Sequence, residues 1–420
     1  MLAFLFAVTL GLSPLFASQD STSLARGASA ESGHALGSPE AAPVDDDTIL
    51  WSWKNGLRFQ TEDGRWKGKF GGRIQWDASW LDIDDSLGLD DADGTEFRRA
   101  RIFVDLENGP FFGKAEYDFA GQDVDFNDLW IGRRDVLGSA DLKVGHMKEP
   151  LSLDQLTSAN YITFLERSLM ESLTLGRNTG VELSGNAAGD AVAWALGVFK
   201  NADDAGTNQM DGDYAVTGRV VAAPLYQDQG ERLLHVGAAY SLRDAASLRF
   251  RQRPEIHLAP YVLDTGALAS EDVSYANVEL AGVFGSAHFQ AEYTSVSTSG
   301  AAGAQDFDAA GYYGQVGYFL TGETRPYKRA SGVFDRVIPG ASYGPDGSGA
   351  VELAVRWSSV DLTDGGIVGG EQDEASVGCN WYLAPNLRVS LNYVLGFVDL
   401  GAGLGDEELS ALLMRVQLDW

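Results

Sequence analysis

Apolar and polar residues alternate along this chain, segment after segment, from Trp66 to its last residue. A period of two belongs to a β-strand whose two faces meet different surroundings. Trp66, Phe70, Ile74, Trp76 and Trp80 fall on one face of the first such segment, with Lys67, Lys69, Arg73, Gln75 and Asp77 on the other. Val351, Leu353, Val355 and Trp357 oppose Glu352, Arg356 and Ser358; Leu387, Val389, Leu391 and Tyr393 oppose Arg388, Ser390 and Asn392. The last segment runs from Met414 to a terminal aromatic, Trp420. One alternating segment would suit a soluble sandwich as well. Repetition through the whole chain, with Trp and Tyr near strand ends, is what a barrel with a lipid-facing belt and interfacial girdles requires. Beyond the N-terminus no apolar run approaches the ~18 residues of a membrane helix.

The composition agrees. The 420 residues include 50 Gly, 10 Trp, 15 Tyr and 20 Phe, with a mean hydropathy of -0.13. Strands of ~9–11 residues that send every second side chain into a lumen keep the average unremarkable while still crossing a bilayer. A net charge of -29 speaks against nucleic-acid binding, which needs a basic face. It leaves channel selectivity open, since that depends on the few charges at a constriction. Cys379 is the only cysteine, so no intrachain disulfide can form.

Met1 to Ala17 is apolar and ends in small residues, as a signal peptide does. It lacks a basic start, so the true translational start is expected slightly upstream. Residues 18–50 are rich in Ser, Ala, Gly, Pro and Asp and are expected to form a disordered periplasmic tether. The barrel is expected over 51–420. Sixteen or seventeen segments have strand character, and a barrel with both termini in the periplasm needs an even number. Phe250–Val262, broken by Pro254 and Pro260, is the segment to drop. The expected fold is therefore an all-β, transmembrane antiparallel barrel of sixteen strands. Asn108-Gly-Pro and Ala384-Pro-Asn are expected as periplasmic turns, and Asp82–Gly94, Ser299–Asp308 and Leu362–Glu374 as external loops. The longest stretch without alternation in the barrel region is His146–Leu175.

From about residue 68 to the end the chain resembles the phosphate-selective porin O and P family. The resemblance rests on Phe70-Gly-Gly-Arg73-Ile-Gln, Phe97-Arg-Arg-Ala-Arg101, Ala115-Glu-Tyr-Asp-Phe-Ala120, Leu142-Lys-Val-Gly145 and Leu156-Thr-Ser-Ala-Asn-Tyr-Ile-Thr-Phe-Leu-Glu-Arg-Ser168. Tyr318-Phe-Leu-Thr-Gly-Glu323 with Arg325-Pro-Tyr327, then Asn380-Trp-Tyr382 and Asn392-Tyr-Val394, complete it. The resemblance implies a homotrimer of sixteen-stranded barrels in the outer membrane. Each pore would carry a ladder of arginines leading to an eyelet formed by an infolded constriction loop, here His146–Leu175. Small inorganic anions, phosphate or polyphosphate among them, are the implied solutes, and outer-membrane lipid and lipopolysaccharide the surroundings.

Alternation puts Lys67, Lys69, Arg73, Arg99, Arg101, Lys114, Lys143, Arg219, Arg243, Arg356, Arg388 and Arg415 in the lumen. It puts Asp77, Asp105, Glu116, Asp118, Glu182, Glu279, Glu292, Glu352 and Asp419 there too. For most of these a mixed wall of paired charges is the expected role. Arg73, Arg98, Arg99, Arg219 and Arg243 match arginines of the family. Consecutive Arg98 and Arg99 are expected on opposite faces of a regular strand, one of them meeting the infolded loop or a trimer interface. Guanidinium groups stay charged and present planar forks of donors to an oxyanion. Several weak stations in series let an anion enter and leave. Arg101, Lys143 and Lys148 complete the expected basic lining. Gln155 and Asn160 stand at loop positions where the family carries lysines, which weakens the case for phosphate, and Lys148 of the same loop could compensate. Glu166-Arg167 is expected as an ion pair bracing the loop. The acidic run Asp82, Asp84, Asp85, Asp90, Asp91 and Asp93 is expected as a solvated loop, since it lacks a calcium-binding frame.

Rival classes fit less well. The five histidines, His34, His146, His235, His257 and His288, form no catalytic motif and no metal-spaced pair. No cofactor is implied. A solenoid would show fixed repeats, and none is seen. A non-selective porin and a plugged structural barrel remain the alternatives to an anion pore.

Overall fold

A computed structural model describes residues 48–83, 92–121, 124–203, 206–207, 212–401 and 406–420. The expected signal peptide, nearly all of the tether, and Asp84, Asp85, Asp90 and Asp91 of the acidic loop lie outside the described residues. Sixteen strands close on themselves. In chain order they are β1 Trp66–Ile83, β2 Ala92–Asn108, β3 Phe111–Asp118, β4 Asp125–Leu137, β5 Ala140–Lys148, β6 Arg177–Ala187, β7 Val192–Lys200 and β8 Tyr214–Gln227. They continue as β9 Arg232–Asp244, β10 Leu268–Phe284, β11 Ala287–Gly300, β12 Phe307–Phe319, β13 Ala350–Asp364, β14 Ile367–Ala384, β15 Leu387–Asp399 and β16 Asp406–Asp419. Each pairs antiparallel with its neighbour, and β16 returns to β1 in a register running from Leu409↔Ile83 to Asp419↔Arg73. The seam is finished by Trp420, whose N–H donates to the Gly72 carbonyl at 3.0 Å and whose carbonyl accepts from Gly72 at 3.1 Å. Among the described barrel residues no strand edge is left open there, as a bilayer demands.

The burial pattern is that of a soluble protein turned inside out. Arg415, Glu116, Gln75, Ser358, Glu374 and Asn380 are buried, whereas Ile131 is 74% exposed and Phe97, Val355, Trp357 and Val377 are exposed with it. Such an apolar outer face suits hydrocarbon and would not suit water. At the end where the first and last strands meet, a hairpin of Ile49–Trp53 and Leu57–Thr61 adds to the edge of β1 through Leu57↔Phe70 and Gln60↔Lys67. It begins two residues ahead of the Trp51 boundary expected from sequence. Trp51, Phe59 and Phe70 form a row of rings 5.6 and 5.8 Å apart across it.

Phe250–Val262 is not a barrel strand. It holds only Arg251–Gln252, paired with Leu263–Asp264 in a separate two-stranded ribbon, which leaves the even count. Leu362–Glu374 is corrected: β13 and β14 run through it, and only Gly365 and Gly366 turn. Strands of 15 and 18 residues exceed what spans a bilayer, so their distal parts meet water on the outside and lose the apolar half of the alternation. The loop at 149–176 does fold into the lumen, with a short helix at Leu153–Leu156 and a 3-10 turn at Leu169–Leu173. A second internal segment, 320–349, enters from the opposite end and has no counterpart among the sequence expectations. Its Tyr327 and Phe334 pack with Leu153, Leu233 and Val283 inside the barrel. Near the other mouth Leu165, Leu169 and Leu173 pack with Phe250, Ile256 and Leu263 and with the inner faces of β10–β16. An apolar core therefore fills that side and leaves space beside β1–β8.

A Cβ on Gly72 would lie 2.5 Å from the Trp420 indole and 2.7 Å from the Arg101 carbonyl. Gly72→Val is expected to prevent closure, seen as loss of the compact heat-modifiable band in gel electrophoresis. Gly314→Ala, where nothing lies within 4 Å, is expected to keep that band.

Candidate functional site

The infolded loop determines what the lumen can be. Its backbone makes no ladder, so its carbonyls need donors from elsewhere. The wall supplies them. Arg388 donates to the Ile162 carbonyl at 2.8 Å, Asn380 to Thr163 at 2.7 Å, Arg415 to Leu165 at 2.5 Å and Arg356 to Glu166 at 3.1 Å. Gln75 and Gln417 reach the carbonyls of Ala159 and Asn160 at 3.3 and 3.2 Å. At the near end of the loop, Glu292 of β11 accepts from the N–H groups of Leu153 and Asp154 at 2.9 and 2.7 Å. Arg243 holds Glu149 at 2.8 and 2.9 Å.

Glu166 is the centre of this anchoring. Its carboxylate accepts from Arg98 at 3.0 and 3.1 Å and from Arg415 at 2.7 Å, with Arg99 at 4.0 Å. Burial opposes its ionisation, but the guanidiniums of Arg98, Arg415 and Arg99 outweigh that and hold its carboxyl well below the usual carboxylate range. The expected Glu166–Arg167 pair does not form. Arg167 turns the other way, to Glu171 at 3.3 Å and to the carbonyls of Asp154 and Thr157 at 2.9 and 3.1 Å.

Arg98 and Arg99 were expected on opposite faces. A β-bulge overturns this: Gln75 pairs with Arg99 and Trp76 with Phe97, so Arg98 is the extra residue. Both side chains enter the lumen, Arg98 to Glu166 and Arg99 to Gln75 Oε1 at 2.8 Å.

Three cavities follow one another through the space beside β1–β8. The outer one, about 240 Å³, lies between Arg98, Arg167, Arg251 and Arg253, the last two each 4.3 Å from the Tyr261 ring centroid. It shares Arg98, Arg167 and Glu171 with a middle cavity of about 340 Å³. That cavity shares Lys114, Asp128, Lys148, Leu156 and Ser158 with an inner one of about 400 Å³. The middle cavity has the most charged lining of the three. Eight cations line it (Arg73, Arg98, Arg99, Arg101, Lys114, Lys148, Arg167 and Arg177) against Glu116, Asp128 and Glu171. The chain as a whole is strongly acidic, yet this cavity is strongly basic. Several of the cations share acids: Glu116 meets Arg73 at 3.3 Å, Arg101 at 3.1 Å and Lys114 at 2.8 Å, and Asp128 meets Lys114 and Arg177 at 2.8 and 2.7 Å. The Nε of Arg73 and of Arg99 is buried with no acceptor among the described residues.

Of the residues singled out from sequence, Arg73, Arg98, Arg99, Arg101, Lys148 and Gln155 meet in the middle cavity. Lys148 donates to the Gln155 carbonyl, and the Gln155 side-chain oxygen has no donor among the described residues. Asn160 is absent from that lining. Lys143 borders the inner cavity, paired with Glu182 at 2.8 Å. Arg219 borders it too, but its donors are occupied by Glu279 at 2.8 and 2.7 Å and by the carbonyls of Ser331 and Gly332. Arg243 anchors the loop through Glu149 and lines none of the three cavities. Arg177, Arg251 and Arg253 were missed, and Arg167 was expected only as the partner of Glu166. Arg177 stands opposite Lys148 across β5 and β6, beyond Gly145, whose φ of +140° breaks the alternation that would have assigned both faces.

Comparison with known proteins gives the same picture. Residues 69–420 match the sequence pattern of the family described as phosphate-selective porin O and P. A protein of Caulobacter vibrioides is 32% identical over 409 residues, covering 91% of this chain and 79% of that one. Porin O of Pseudomonas aeruginosa is 27% identical over 420 residues, covering 89% and 93%. The solved structure of an anion-selective porin from Comamonas acidovorans shares the fold at a TM-score of 0.56 and 12% identity, over 84% of this chain and all of that one.

Glu166→Gln leaves Arg98 and Arg415 without their shared counter-charge, a loss of about 3–5 kcal/mol for a buried pair, measured as a lower guanidinium midpoint of the detergent-folded barrel. A depressed carboxyl contributes its stability fully above the unfolded pKa and loses it as pH falls through the folded one. The gap between wild type and Glu166→Gln should therefore hold from neutral pH down to about 4.3, the unfolded value, and close only below it.

Proposed function

The chain belongs to the phosphate-selective porin O and P family and is an outer-membrane channel; on that premise we propose that it passes small anions by diffusion, phosphate among them. The observation that carries this reading is the middle cavity, where eight cations face three carboxylates in a chain of net charge -29. Charge concentrated in a narrow, low-dielectric passage outweighs distant surface charge, because exposed loops are screened within about 8–10 Å at physiological salt. The cationic side chains along this lining can replace part of an oxyanion's water shell, while shared carboxylates at Glu116 and Asp128 keep any one station from holding it too tightly. A homotrimer is the assembly we propose, as in the family, with a cleaved signal peptide at residues 1–17 and a tether from residue 18 to the hairpin that begins at Ile49.

Reconstituted in a planar bilayer across a KCl gradient, the channel should give a reversal potential on the chloride side. Arg73→Ala with Arg99→Ala should move it toward the potassium side. A wild-type potential on the potassium side would overturn the anion reading, and no conductance would favour a plugged barrel.

Gln155 marks the departure from the family's basic loop. Gln155→Lys adds a cation beside Lys148 and should lower the phosphate concentration that halves the chloride current by about tenfold, on the order of 1.4 kcal/mol of added attraction. An unchanged phosphate titration would mean that the station where phosphate binds lies elsewhere.

A further inference from the structure

The inner cavity differs in kind from the middle one. Its floor is apolar: Trp130 of β4, Leu156 and Tyr161 of the infolded loop, and Val333 and Phe334 of segment 320–349. Five cationic side chains, Lys143 and Lys328 among them, face it against two carboxylates, Asp128 and Glu182. A bare inorganic anion gains nothing from an apolar wall and loses hydration beside it. A cavity of about 400 Å³ with apolar surface and a few convergent charges has the size and make-up of a site for an organic molecule.

The walls are held in place. Trp130 stands edge-on to Phe112 at 5.4 Å, with Lys143 Nζ 5.5 Å from its ring centroid. The two inserted segments are joined across the cavity's end by Arg336, which donates to the Tyr161 hydroxyl at 3.2 Å. An indole fixed in this way beside ammonium groups offers a flat surface and a counter-charge a few ångströms apart.

We propose that the inner cavity is a binding subsite for an organic anion that joins a flat apolar ring to a phosphate, an aryl or nucleoside monophosphate in class. Resting on the anion-pore reading, it makes the pore's solute a phosphate ester rather than inorganic phosphate alone. The ring stacks at Trp130, and the phosphate meets Lys143 and Lys148.

The test compares 4-nitrophenyl phosphate with methyl phosphate as blockers of chloride current through the reconstituted channel. Stacking of one ring on an aromatic side chain contributes about 1–3 kcal/mol, so the aryl ester should block at concentrations at least about fivefold lower. In Trp130→Leu, which keeps apolar volume, that advantage should fall below about threefold; in Lys143→Gln both esters should weaken. Equal block by the two esters in the wild type, or a full aryl advantage retained in Trp130→Leu, would overturn the proposal while leaving the anion pore intact. If the KCl gradient instead shows cation preference, the pore reading fails by itself. Saturation-transfer NMR on the detergent-folded protein then decides: saturated ring protons of 4-nitrophenyl phosphate support the subsite, and unsaturated ones overturn it.

Discussion

Backbone carbonyls without a ladder are the constraint around which this barrel is organised. A loop that leaves the sheet and crosses the lumen carries its peptide groups out of reach of bulk water, and each must find a partner. Arginine suits the task because one planar group donates several hydrogen bonds and still carries a charge for a carboxylate. Arg415 shows the whole pattern: it is fully buried, holds Asp77 at 2.7 and 2.6 Å across the strand pair, and reaches the Leu165 carbonyl and Glu166 with the rest of its donors. Charge-assisted bonds of this kind are about twice as strong as neutral ones, which lets a few side chains hold a long segment in place.

This use of arginine divides the lumen into two regions with different tasks. On the β13–β16 side guanidiniums are consumed in holding the loop, and an apolar core closes the space behind it. On the β1–β8 side cations outnumber acids and the space stays open. The same residue type is a fastener in one half and a lining in the other. A census of lumen arginines would overstate the number available to a passing ion.

How much of this was legible depends on what alternation can encode. It records which face a residue takes while the strand is regular, and so it marked the strands to within one; the even count came from the closure rule and the exclusion of Phe250–Val262 from Pro254 and Pro260. It says nothing where regularity ends. The bulge at Arg98 moves a side chain to the other face without changing a letter of the pattern, and Arg177, just past the infolded loop, lies where alternation assigns no face. Leu362–Glu374 was misread because a strand beyond the bilayer loses the apolar residues of its outward face, as at Asp361, Thr363, Glu371 and Asp373. The inward course of 320–349 was invisible because its binding groups, Glu279 with Arg219 and His235 with Tyr327, come from distant positions. Six of the residues singled out line one cavity; the contacts of Arg219 and Arg243 depended on partners that only the folded chain brings near.

The seam between β1 and β16 has a consequence for biogenesis. Arg415 and Asp77 are 338 positions apart in sequence, so the contact that seals the cylinder is among the most distant the chain makes. Closing a loop of that length is entropically costly and slow. Until it happens, the sheet has two raw edges and an oily outer surface, a combination that invites aggregation in any aqueous compartment. Pairing of the first strand with the last removes both edges at once, so a chain held in water before that step needs its edges and its apolar face covered.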